Sequence, residues 1–225
     1  MFNSLLPLST YAPLRAFRNV AVAIIVLISP AWAEPVTVLA LGDSLTEGYG
    51  LPPEQGFVPQ MQAWLAGTGA DVALINAGVS GDTTAGGLSR VEWSLTPGVD
   101  ALIVNLGGND MLRGIDPAEA RANLTGILAV AKARDLPVLL VAQTAPGNYG
   151  ADYKTAFDAI YPDLAAGYGA LLSDPYFLPL MDRASGLLAS DMMQADGIHP
   201  NADGVAKVVA ALGPKVQALL AQVAR

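Results

Sequence analysis

The chain has 225 residues, 52% of them apolar and 14% charged, with a formal net charge of −8. This balance excludes a disordered chain and leaves ample material for a dry core. The lack of cysteine excludes disulfides, thiolate metal sites and a cysteine nucleophile, and the acidic balance opposes binding to the phosphate backbone of nucleic acids.

Residues 1–33 hold no acidic residue, carry Arg15 and Arg18 ahead of an apolar run, and end in Ala31-Trp32-Ala33. That order predicts a secretory signal peptide removed after Ala33. The apolar run, Val20 to Ile28, is about half the ~20 residues needed to span a bilayer. The mature protein is therefore expected in the periplasm or outside the cell, with no stable membrane anchor. Loss of the two arginines with the leader makes it more acidic still.

Residues 34–225 are expected to form a single domain, because no repeat, low-complexity tract or linker divides them. Short apolar runs alternate with helix-period segments, the pattern of βα units feeding a parallel sheet. Strands are predicted at 36–41, 71–76, 101–106 and 137–142, with a weaker one at 170–173. The first four are rich in Val, Leu and Ile without strict alternation, as strands buried on both faces are. Helices are predicted at 57–66, 82–94, 116–135 and 152–166, the last bent at Pro162. The clearest is the third, which opens on Asp116-Pro117-Ala118-Glu119: an acidic cap, proline at the first helical position and glutamate at the third. A final helix follows Pro200 and is expected to break or kink at Gly213-Pro214, before 216–223.

Ligands of open parallel sheets bind beyond the carboxyl ends of the strands, so the loops there carry the chemistry. The first holds Gly42-Asp43-Ser44-Leu45, in which Ser44 reads either as a helix cap or as a nucleophile in a tight turn. Neither glycine-rich phosphate-binding pattern is present. The next two loops hold Asn76-Ala77-Gly78-Val79-Ser80-Gly81 and Gly107-Gly108-Asn109-Asp110. These are ordinary turns with capping residues, or they aim backbone N–H groups and the Asn109 amide at a substrate. His199, the only histidine, follows Asp196 in Asp196-Gly197-Ile198-His199-Pro200. A lone histidine without cysteine cannot build an ordinary zinc site, and most such histidines are structural. The spacing from Asp196 instead allows a turn that puts the carboxylate on one imidazole nitrogen and leaves the other facing outward, the pair a serine nucleophile needs. Met111 to Ile115 reads either as a flap over an acyl chain or as a connector, and Met192 and Met193 as groove lining or core filler.

In order and spacing, Gly42-Asp43-Ser44-Leu45, Gly78, Gly108-Asn109-Asp110 and Asp196-x-x-His199 resemble the four sequence blocks of the SGNH (GDSL) hydrolases. Gly-Asn-Asp-x-Leu-Arg-Gly at 108–114 and Asp-Gly-Ile-His-Pro-Asn at 196–201 resemble its bacterial periplasmic thioesterase, arylesterase and lysophospholipase group. The resemblance covers essentially the whole mature chain. It implies a flavodoxin-like αβα sandwich with a five-stranded parallel sheet, and a serine hydrolase of small acyl esters or thioesters. Ser44 would be the nucleophile, with Asp196 and His199 completing the triad. The backbone N–H groups of Ser44 and Gly78 and the side chain of Asn109 would form the oxyanion hole, with no cofactor and no metal. A carbohydrate O-acetylesterase on the same fold, or a binding module without turnover, are the competing readings.

Overall fold

Five apolar runs pair into one all-parallel sheet in the order β2-β1-β3-β4-β5. The strands are β1 Val36–Gly42, β2 Val72–Gly78, β3 Ala101–Asn105, β4 Val138–Leu140 and β5 Leu171–Leu172. The computed structural model describes residues 1, 34–182 and 185–223, and the expected leader lies outside the described residues except for Met1. Residues Glu34–Arg225 make one compact unit.

Alternation along β1 builds two cores. Val36, Val38 and Ala40 face helices α2 (Phe57–Gly67) and α8 (Ala202–Leu220). Leu39 and Leu41 face α3 (Thr84–Ser94), α5 (Pro117–Ala133) and α7 (Ile160–Tyr168) on the other side. The result is a three-layer αβα sandwich of flavodoxin-like strand order. Each fully buried aliphatic side chain contributes roughly 1.5–3 kcal/mol, which is why β1 and β3, buried along almost their whole length, fix the register of the sheet. Between these elements lie α1 (Ser44–Glu47), α4 (Gly108–Leu112) and α6 (Ala151–Asp158). No helix among the described residues is long and apolar enough to cross a membrane.

Several boundaries differ from the sequence reading for identifiable reasons. As an edge strand, β2 exposes Ile75 and Asn76, so it is not buried on both faces. The helix expected over 82–94 is α3, which starts at Thr84 with Thr83 as its cap, because the Asp82 carboxylate is taken by Arg90. The segment 152–166 is interrupted one turn before Pro162: it forms α6 and α7, divided at Ala159, where the Pro162 ring leaves the carbonyl of Asp158, the last residue of α6, without a helical N–H partner. The final helix runs unbroken through Gly213-Pro214 to Leu220. Gly213 is there for close packing, since a Cβ at that position would overlap the Trp64 ring. The cap of α5 is as expected, with the Asp116 side chain accepting from the Ala118 N–H at 2.8 Å.

Candidate active site

The nucleophile turn is built by local rules. β1 ends at Gly42, where any side chain would overlap Thr46, and Asp43 caps α1 by accepting the Leu45 N–H at 3.0 Å. Ser44 is thus the first helical residue, and the cap that the sequence left open is its neighbour. Beneath the turn lies a buried polar relay: Gln143 donates to Asn105 at 2.9 Å, and Asn105 donates to Thr46 at 3.2 Å. Such a relay holds the turn without leaving buried polar groups unpaired.

The histidine turn is equally local. One Asp196 oxygen accepts the N–H groups of Ile198 and His199 at 2.9 and 3.0 Å, and the other lies 2.7 Å from His199 Nδ1. These bonds, the His199 N–H first, hold the Asp196 carboxyl down at about 2. Gly197 supplies the left-handed residue of the turn, at φ 66°. On the opposite side of the ring, His199 Nε2 lies 2.8 Å from Ser44 Oγ, across 155 residues of sequence. Tyr49 and Gln194, which no motif flagged, fasten the two turns together. The Gln194 side chain donates to the Tyr49 carbonyl at 2.9 Å and the Pro200 carbonyl at 3.0 Å, and the Tyr49 ring centroid is 4.7 Å from that of His199.

Asn109 lies beside this pair. Its amide donates to the Asp82 carbonyl at 2.9 Å and lies 3.4 Å from the Asp43 carboxylate. Its neighbour Asp110, fully buried, accepts the N–H and hydroxyl of Thr84 and so pins the start of α3 to the same loop. Gly78 is placed otherwise than expected. Its N–H is donated to the Asn76 side chain at 2.9 Å, and a Cβ there would overlap the backbone of Glu47. Gly78 therefore serves the close approach of β2 to α1. Gly81, three residues on, has φ 81°, and among the described residues neither its N–H nor that of Ser44 has an intramolecular acceptor.

Ser44, His199 and Asn109 open onto a cleft of about 570 Å³, within the usual range for small-molecule sites. Its walls are mostly apolar, with Met111, Pro146, Phe177 and Met181 among them, and Leu112, Leu178 and Ile198 stand exposed at its mouth. The segment from Met111 to Ile115 is tethered by hydrogen bonds from Arg113 to the Gly81 carbonyl, from Tyr149 to the Leu112 carbonyl and from Tyr153 to the Ile115 carbonyl. Met192 and Met193 pack on the core, away from the cleft. The Tyr176 hydroxyl at the cleft floor is buried and has no partner among the described residues. No group of His, Asp and Glu among those residues could hold a metal ion.

Asp43, buried below Ser44, has its carboxyl pushed up to about 6 by burial, against the pull of the Leu45 N–H and the His199 charge. The folded protein thus holds this proton more tightly than the unfolded chain, whose carboxyl titrates near 3.8. Stability is therefore lost as pH rises from about 4 to 6, by up to about 3 kcal/mol. Urea unfolding at pH 4 and pH 7 of wild type and Asp43→Asn checks this. Wild type should lose ground to the variant at the higher pH, and an equal difference at both pH values would overturn it.

A hydroxyl, an imidazole and a carboxylate hydrogen-bonded in sequence at the carboxyl edge of a parallel sheet define the site of a serine hydrolase. The chain belongs to the GDSL-like lipase/acylhydrolase family, whose family model matches residues 40–207, and it is an ester hydrolase. It is 39% identical over 199 residues to esterase TesA of Pseudomonas aeruginosa, covering 88% of this chain and 95% of that one. It is 37% identical over 181 residues to thioesterase 1/protease 1/lysophospholipase L1 of Escherichia coli K12, covering 80% and 82%. Among solved structures, the SGNH-hydrolase family esterase AlinE4 matches at a TM-score of 0.68 with 43% identity, covering 83% of this chain and 97% of that chain.

Proposed function

We propose that this chain hydrolyses carboxylic esters and thioesters of acyl chains through an acyl-serine intermediate. In this reading Ser44 is the nucleophile, His199 the base and Asp196 the group that orients the base. His199 Nε2 takes the hydroxyl proton as Ser44 Oγ bonds to the carbonyl carbon, and the resulting oxyanion meets the Ser44 N–H and the Asn109 N–H that exchanges its long 3.4 Å contact with Asp43 for the oxyanion while the other stays on the Asp82 carbonyl. The tetrahedral centre then collapses: the bond to the leaving oxygen or sulfur breaks, and His199 returns its proton to the departing alcohol or thiol. Water deprotonated by His199 attacks the acyl-serine and releases a carboxylic acid, restoring the hydroxyl. The bond from Gly78 to Asn76 removes Gly78 from the donor set, and the Gly81 N–H takes its place as the backbone donor of that loop. No cofactor takes part.

The observation that carries this reading is the unbroken hydrogen-bond chain from Ser44 through His199 to Asp196, open to a mostly apolar cleft. The names of the relatives, esterase and thioesterase/lysophospholipase, support acyl substrates. The leader-like order of residues 1–33 supports export to the periplasm or beyond and a mature domain of residues 34–225. A panel of aryl esters of increasing acyl length, an acyl thioester, a lysophospholipid and an acetylated sugar tests the substrate class. Turnover is expected on the acyl esters and the thioester, rising with acyl length as each methylene enters the cleft. Activity confined to the acetylated sugar would replace this reading with a carbohydrate O-acetylesterase, and activity on none of them would leave a binding module.

A further inference from the structure

The Arg90 side chain, on α3, is nearly buried, and each of its three nitrogens makes a hydrogen bond. Nη2 donates to the Gly42 carbonyl at 2.8 Å, Nη1 to the Ala77 carbonyl at 2.8 Å, and Nε to the Asp82 carboxylate at 2.6 Å. These acceptors lie at the carboxyl end of β1, at the carboxyl end of β2 and in the loop that follows β2. Gly42 leads into Asp43-Ser44, while Ala77 and Asp82 bracket the loop that contains Gly81. The Gly42 carbonyl also accepts the Val79 N–H at 3.0 Å, so the two loops share that acceptor. The Asp82 carbonyl in turn receives the Asn109 amide. One planar guanidinium thus joins the turn bearing the hydroxyl to the loop that aims the amide.

We propose that Arg90 is the positioning residue that sets the spacing between Ser44 and the oxyanion donors, and that it acts on turnover rather than on substrate affinity. The proposal rests on the roles assigned above to Ser44 and Asn109. Arginine is required because the three acceptors diverge, and its rigid fork reaches all of them, whereas the single ammonium of lysine cannot. A buried guanidinium must pair its donors whatever its role; what distinguishes Arg90 is that its acceptors lie at the roots of both the Ser44 turn and the loop whose Asp82 carbonyl holds the Asn109 amide. Displacement of such loops by about 1 Å costs roughly 10²-fold in turnover, because the donors must meet the oxyanion and not the ground-state carbonyl.

The test is a double-substitution cycle with active enzyme counted by fluorophosphonate labelling, so that unfolded protein does not enter kcat. Arg90→Lys is expected to lower kcat by roughly 10²-fold and leave KM within about twofold. In an Asn109→Ala background the same substitution should cost clearly less than in wild type, because one of the donors it positions is gone. Asp82→Asn, which keeps the arginine, is the second variant and should show the same loss of additivity even where Arg90→Lys does not fold. Equal costs in both backgrounds, or an effect on KM alone, would overturn the role of Arg90. Full activity of Asn109→Ala would instead overturn the oxyanion reading itself.

Discussion

Ser44→Ala is expected to lower kcat for ester hydrolysis by roughly 10⁶-fold, close to 8 kcal/mol of transition-state stabilisation. The size of the loss follows from the arrangement. Without Oγ no covalent intermediate forms, and His199 is left only water to deprotonate. A residue of roughly 10³–10⁴ over the uncatalysed rate should survive through the oxyanion donors and the cleft. The fold should be unaffected, because the substitution removes one atom whose partner, the His199 imidazole, keeps its second bond to Asp196. The measurement is kcat on a short aryl ester, with protein expressed and purified separately from wild type. Retention of more than about 1% of wild-type kcat would remove Ser44 from its role, since triads that lose the nucleophile lose far more than this.

Asp196→Asn is the second large effect, a fall of roughly 10⁴-fold in kcat. The amide keeps one oxygen for the Ile198 and His199 N–H groups, so the turn survives and the imidazole stays near Ser44. Its NH2 then faces His199 Nδ1 and donates to it. The imidazole proton is driven onto Nε2, the nitrogen that must accept from the serine. The loss should therefore appear in kcat with the melting behaviour near neutral pH little changed, and a loss under tenfold would overturn the orienting role. The wild-type carboxylate, held down at about 2, stays ionised throughout the neutral range. Its folded value lies below the unfolded value of 3.8, so any stability it contributes is present above about 4 and disappears as pH falls through about 2. This is opposite in sign to Asp43 and falls in a different window, so the two carboxyls separate in a pH series. Asp196 is partly exposed, so its contribution to stability is screened and small beside its expected effect on turnover.

Features that depend on residues close in sequence were legible before any coordinates. Runs such as Val36 to Leu41 identify central parallel strands because burial on both faces suppresses alternation. Asp116-Pro117 identifies the start of a helix because capping involves only the first turn, and Asp196 with His199 form their turn through bonds to adjacent N–H groups. The same locality misled at Pro214, where proline reads as a breaker, and it placed the interruption caused by Pro162 one turn too late. In α8, packing of the Gly213 face against Trp64 accompanies a helix that continues past one missing hydrogen bond.

By itself the sequence determined the βα alternation, the two local turns that present Ser44 and His199, and the family blocks that link them. Only the tertiary structure decided that the Gly78 N–H is committed to Asn76, that Tyr49 and Gln194 fasten the histidine turn, and that Arg90 joins two loops. The physical reason is distance along the chain. A turn is governed by the hydrogen-bonding groups of four or five neighbours, which composition reveals. Contacts between loops depend instead on the strand order that carries the ends of β1, β2 and β3 to one edge of the sheet, and no short stretch of sequence encodes that order.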